Sequence, residues 1–341
     1  MQMIIAQVCK MTLQERLMRV TAALTKLFAQ VERCVKKTQV RTFENNLHDV
    51  FLLLVVAEVA AKLAGVKNVV LVLSGKGGVG KSTVSTQLAL TLAQDPNVDV
   101  GLLDIDLCGP SVPRMLGLEG SDVHRSNTGW TPVYLEDNLA VMSIGFMLPN
   151  KDDPVVWRGP KKDALIRQYL TDVMWENLDY LILDTPPGTS DEHISVIQYL
   201  AKTNLLGAVI VTTPQEVALA DVRKEIKFCE KTGTRVLGVV ENMSGFVCPN
   251  CTHESQIFAP VTGGAAQMCA DMQIPLLGKI PIEPKLLLSC EGGKCFVSEC
   301  PDTVTAARFN QIVAQVRAAA EAPKAGQENG EVTTTQDQDM K

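Results

Sequence analysis

Seven short apolar runs punctuate the chain at 68–73, 98–103, 139–144, 180–183, 208–211, 235–240 and 276–280. Each is compact enough for a fully buried strand. Between them lie longer stretches with apolar residues at three- and four-residue steps, clearest at 84–93, 161–174, 216–231 and 303–320. Alternation of this kind predicts an α/β fold, a doubly wound and mostly parallel sheet covered on both faces. Ligands of such sheets collect beyond the carboxyl ends of the strands. Residues 1–65 fall outside the alternation. There Leu13, Leu17, Val20, Leu24, Leu27 and Val31 recur at helical spacing, which predicts a partly helical N-terminal extension. The expected organisation is an extension over 1–65, one large domain over 66–320, and a polar, disordered tail over 321–341.

The turn after the first run carries the most informative chemistry. Gly75, Lys76, Gly77, Gly78, Val79, Gly80, Lys81, Ser82 and Thr83 contain G-x-x-x-x-G-K-S between a predicted strand and a predicted helix. Glycines let the backbone curl with its N–H groups turned inward, forming a concave anion site that a Cβ would obstruct. The helix that starts there aims its positive end at the same place. Lys81 is expected on the β- and γ-phosphates of ATP, and the Ser82 hydroxyl on Mg²⁺. Gly75, Gly77 and Gly80 also satisfy G-x-G-x-x-G, the dinucleotide fingerprint, but that pattern needs no Lys-Ser pair. Asp184 ends the run at 180–183, where an acid can hold the water shell of a phosphate-bound Mg²⁺. The Pro-Pro-Gly turn after it is a candidate switch. Asp106 is expected to orient the attacking or metal-bound water, and Asp104 to act as a structural acceptor. Lys76 is a cation that an ordinary phosphate loop does not require. It is either a solvated loop residue or a reach into the nucleotide site of a facing subunit, as arginine fingers do.

Composition narrows the classes. Net charge is −6, yet residues 1–65 hold nine Lys/Arg against five Asp/Glu, leaving −10 on the remainder. An acidic body argues against nonspecific nucleic-acid binding. The first forty residues are basic, a pattern shared with mitochondrial presequences. Glu15 and Glu32 interrupt it, so a plain helical extension is expected. The run at 50–57 is too short to span a bilayer and reads as a buried helix. The last helix carries only Arg308 and Arg317, which does not make a membrane-binding face.

The ten cysteines fit a reducing compartment with thiols available for metal. Cys248 and Cys251 form C-x-x-C, a two-thiolate grip. Four-coordinate zinc or a [4Fe–4S] cluster usually takes four ligands. Two subunits could each supply two. Alternatives are zinc completed by His253, Cys290, Cys295 or Cys300, or a redox pair. Cys229 and Cys269 lie in helical patterns and are expected in the core.

The motifs together resemble a known family. The Gly-Lys-Gly-Gly-Val-Gly-Lys-Ser loop is similar to that of deviant P-loop ATPases of the MinD/Mrp type. The segments 103–111 (Leu-Asp-Ile-Asp-Leu-Cys-Gly-Pro-Ser), 157–162 (Trp-Arg-Gly-Pro-Lys-Lys), 184–193 (Asp-Thr-Pro-Pro-Gly-Thr-Ser-Asp-Glu-His), 212–216 and 241–251 resemble the eukaryotic cytosolic iron–sulfur scaffold ATPases. The resemblance implies a P-loop NTPase that assembles a labile [4Fe–4S] cluster between subunits and passes it to cytosolic and nuclear apo-proteins, with ATP hydrolysis coupled to loading or transfer. It implies a homodimer, or a hetero-tetramer with a related scaffold ATPase, and downstream iron–sulfur targeting factors. Cys248 and Cys251 match the bridging cysteines, Lys76 the intersubunit lysine, and Asn242 a position that contacts adenine. One member of that pair holds a second cluster on four N-terminal cysteines. Here that region has only Cys9 and Cys34. The competing reading is a positioning or partitioning ATPase of the same class with structural zinc at the C-x-x-C.

Overall fold

A computed structural model describes residues 40–127, 129–147, 158–258 and 262–322. The periodicity at 13–31, the tail at 323–341 and Trp157 lie outside these residues. The chain divides into a unit through Val55 and a larger compact unit from Val56 onward.

Helix α1 (Val40–Lys62) confirms helix for the run at 50–57 but corrects its burial. Val50, Phe51, Leu53 and Leu54 are exposed, because one face of a helix cannot enclose a continuous apolar run. Among the described residues no helix is long and apolar enough to cross a membrane.

The larger unit is built on β1 (Val66–Leu73), which passes through the phosphate loop into α2 (Lys81–Leu92). There follow β2 (Val100–Asp104), the short α3 (Val112–Met115), a two-stranded hairpin β3 (His124–Ser126) and β4 (Gly129–Thr131), and β5 (Val133–Glu136) and β6 (Leu139–Ser143). Next come α4 (Gly159–Thr171), β7 (Leu178–Asp184), α5 (Asp191–Leu200), β8 (Leu205–Thr212), α6 (Glu216–Lys231) and β9 (Val236–Val247). The chain continues through β10 (Glu254–Ser255), α7 (Gly264–Met272), β11 (Leu276–Ile282), α8 (Pro284–Glu291), α9 (Phe296–Glu299) and α10 (Val304–Glu321).

Nine strands form one sheet in the order β10-β9-β8-β1-β7-β2-β6-β5, with β11 also pairing β9. The seven runs seen in the sequence all become strands, and these pair parallel throughout. The fold is therefore the expected mostly parallel α/β sheet. The antiparallel additions at β5 and β10 were not visible, because strands this short carry no readable period. β1 is fully buried from Val69 to Leu73, which is why that segment lacks polar alternation.

Register places the chemistry. Val72 pairs with Asp184, and Asp184 pairs with Asp104 on its other side. The carboxyl ends of β1, β7 and β2 thus lie side by side. The crossover from β1 to β2 passes β7, and that from β7 to β8 passes β1. The crevice beyond these ends is where such a sheet binds its ligand.

Candidate functional site

Each loop glycine has its own reason. Gly78 and Gly80 hold φ of 80° and 84°, left-handed values that L side chains rarely adopt. A Cβ on Gly75 would stand 2.7 Å from backbone and side-chain carbons of Asp221, so this glycine lets α6 approach the loop. No side chain caps the N-terminus of α2. Its first-turn N–H groups therefore face the crevice as anion donors.

Lys81, only 6% exposed, sets its Nζ 2.8 Å from Asp184 Oδ1 and 4.0 Å from Asp106 Oδ2. Asp184 is wholly buried and accepts from Ser82 Oγ at 2.6 Å and Ser85 Oγ at 2.8 Å. Ser82 donates its O–H to the carboxylate and accepts from Lys81 Nζ at 3.3 Å, which leaves an oxygen lone pair for a cation. Asp104 is also buried and accepts from the Asp106 N–H and from Ser143 Oγ, both at 3.0 Å. Burial, and then the neighbouring Asp184 carboxylate, push the Asp104 acid upward. Asp106 is partly exposed and is raised mainly by burial, opposed by Lys81. The structure thus brings Lys81, Ser82, Asp184 and Asp106 together, and places Asp104 as the structural acceptor expected of it. A cavity of about 180 Å³ opens over this group, lined by Lys76, Gly77, Gly78, Gly80, Thr83 and Asp106 among others. Lys76 is exposed, with the Asp221 carboxylate near enough to feel its charge.

A second cavity, about 320 Å³, begins at Gly80 and Thr83 and continues between Asn242, Met243, Pro281, Glu283 and Leu286. Asn242 Nδ2 donates to the Val79 carbonyl at 2.9 Å, tying β9 to the loop. Glu283 is 7% exposed and its Oε2 has no hydrogen-bond partner. An apolar slot opening from the phosphate site suits a nucleobase.

The cysteine pair lies elsewhere. β9 runs beyond its predicted end to Val247, turns through Cys248–Cys251, and returns as β10. Thr252 N–H donates to the Cys248 carbonyl at 2.8 Å, and Cys248 N–H to the His253 carbonyl at 3.0 Å, closing the turn. The N–H groups of Cys251 and Asn250 point at the Cys248 sulfur and hold its thiol below the usual cysteine range. Cys251 is exposed and Cys248 half-buried. Among the described residues no three His, Cys, Asp or Glu side chains converge on one metal position. The alternative of a zinc site completed within the chain by His253, Cys290, Cys295 or Cys300 finds no such convergence among the described residues. Cys290 instead packs in the core beside the Gln87 amide. Cys229 and Cys269 are buried as expected.

Three contributors escaped the sequence reading. Ser85 was signalled only by lying three residues after Ser82 on one helix. Glu283 gave no local signal. His193 stood at the end of a recognised motif with no task assigned.

Residues 65–317 match the family model described as NUBPL iron-transfer P-loop NTPase, within the ParA group. A solved nucleotide-binding protein from Archaeoglobus fulgidus, in complex with ADP, is 38% identical; the match covers 71% of this chain and 92% of that one, with a TM-score of 0.60. The Pyrococcus furiosus cell division ATPase MinD is 24% identical over 74% of this chain and 98% of its own, with a TM-score of 0.52. The Pyrococcus horikoshii MinD, solved with Mg-ADP, is 21% identical over 74% and 97%, with a TM-score of 0.53. These two speak for the fold alone. A phosphate loop built on β1, two acids at neighbouring strand ends and a match running nearly the length of the sheet lead to one conclusion: the chain is a nucleotide-hydrolysing ATPase and belongs to the NUBPL iron-transfer P-loop NTPase family.

Proposed function

We propose that this ATPase assembles a labile [4Fe–4S] cluster between two subunits and delivers it to apo-proteins of the cytosol and nucleus. In this reading residues 75–83 cradle ATP, with Lys81 on the phosphates and Ser82 on Mg²⁺. Asp184 orders the cation's water shell and Asp106 orients the attacking water. Asn242 and Glu283 meet the adenine. Lys76 reaches the nucleotide of the facing subunit, and each subunit contributes Cys248 and Cys251 to the cargo. The assembly is a homodimer, or a hetero-tetramer with a related scaffold ATPase, working in the cytoplasm with downstream targeting factors.

One observation carries the proposal. Two thiols stand at a hairpin tip, one of them favoured as thiolate by backbone N–H groups, with no third ligand beside them among the described residues. A second copy supplies the missing pair most economically, and an exposed site suits cargo that must leave. The positioning-ATPase reading asks the pair to hold a structural zinc, for which no third ligand converges among the described residues.

Anaerobic reconstitution with iron and sulfide tests the proposal. Wild type should gain thiolate–iron charge-transfer absorbance that the Cys248→Ala/Cys251→Ala variant lacks, while ATP binding persists in both. Equal cluster loading in the two proteins would remove the ligand assignment.

A further inference from the structure

The geometry points to His193 as a positioning residue for ATP hydrolysis: one imidazole latches both ends of the loop 186–190 against the phosphate site. The inference rests on the ATPase activity and not on the cluster. His193 is 1% exposed and forms part of the first turn of α5. Its Nε2 lies 2.9 Å from the Pro186 carbonyl, and its Nδ1 lies 3.1 Å from both the N–H and the Oγ of Ser190.

These partners fix the tautomer. The Pro186 carbonyl only accepts, so Nε2 carries the proton. The Ser190 N–H only donates, so Nδ1 presents its lone pair. Neutral imidazole satisfies both ends at once, and a second proton would set two N–H groups against each other at Ser190. Burial lowers the imidazole in the same direction. The ring is held from outside the loop by an edge-to-face contact with Phe228 of α6, with centroids 6.4 Å apart and planes at 86°.

The loop held in this way begins two residues after Asp184. Its Gly188 N–H donates to the Ser74 carbonyl at 2.7 Å, at the start of the phosphate loop. The ring of Pro187 rests 3.9 Å from the place a Cβ on Gly77 would occupy. Pro187 also lines the cavity over Lys81 and Asp106. The latch therefore sets where the loop stands relative to the transferred phosphate, while the α- and β-phosphates are held by other groups. Loss of the latch should fall on turnover rather than on diphosphate binding.

The test compares His193→Phe, His193→Gln and His193→Asn in the full chain, reading kcat, KM and ADP affinity. Phe keeps the ring and its contact with Phe228 but has neither hydrogen bond. It should lower kcat about 10- to 100-fold, the scale of an ångström-level misplacement, with ADP affinity within about twofold of wild type. Gln can restore the donor toward Pro186 and Asn the acceptor toward Ser190. At least one should recover kcat several-fold over Phe. Unchanged kcat in the Phe variant would overturn the inference. So would kcat and ADP affinity falling together in all three variants, the signature of damage to the fold.

Discussion

Glu225 offers a measurement of how completely α6 buries an unpaired carboxylate. Its side chain is wholly buried and neither carboxylate oxygen has a hydrogen-bond partner. Burial, and then repulsion from Asp221 one turn away, push the acid from 4.5 to about 7. Between these values the folded state binds more protons than the unfolded one, so stability falls as pH rises through the window and levels off above it. At about 1.4 kcal/mol per unit the whole effect is about 3 kcal/mol, of which 2–3 kcal/mol lies between pH 5 and pH 8. Glu225→Gln removes the titration while keeping the shape. Urea unfolding of both proteins at the two pH values isolates the group, because every other titration is common to them. The variant should gain about 2–3 kcal/mol over wild type on going from pH 5 to pH 8. A difference that stays constant, or one that favours wild type at pH 8, would refute the reasoning and imply a partner for the carboxylate.

Other expectations concern the nucleotide site. Lys81→Ala should weaken Mg-ATP binding about 100-fold or more by calorimetry, since it removes the cation buried among the phosphate loop and three acids. Gly75→Ala should lower the melting stability by about 1–3 kcal/mol, because its Cβ would meet the backbone of α6 at Asp221 and Val222. An unshifted melting curve would contradict that contact. Lys76→Ala should bind ADP normally yet lose about 10³-fold in hydrolysis, the scale of a cation supplied by a partner. Mixing it with Lys81→Ala should restore turnover, as the second protein donates its intact Lys76. No recovery in the mixture would place Lys76 outside the partner's site.

The legible parts of the molecule were those written in short windows. The phosphate loop, the strand before it and the acid at the end of β7 are each specified by contiguous residues, so their types and places followed from sequence. That Asp184 meets Ser82 and Lys81 is a consequence of β1 and β7 pairing in parallel, a relation between segments more than a hundred residues apart. Ser85 joined the site through that same pairing, and Glu283 through the pairing of β11 with β9. The apolar pattern ends β9 at Val240, where Asn242, Ser244 and Gly245 break the run, whereas the strand continues to Val247. There the strand is held by edge pairing with β10 and β11 rather than by its own pattern. His193 was visible as a letter in a motif, but its hydrogen bonds turn on the path of the loop it latches.

Mass measurement on the anaerobically loaded protein, under conditions that preserve the metal, tests the central claim most directly. The account predicts that cluster-loaded protein has the mass of two chains plus one four-iron, four-sulfur unit when reconstituted alone. Chelation of the iron should then abolish the absorbance together with any dimer held only by the cluster. A cluster-loaded single chain, with Cys248 and Cys251 engaged and no second subunit present, would contradict it.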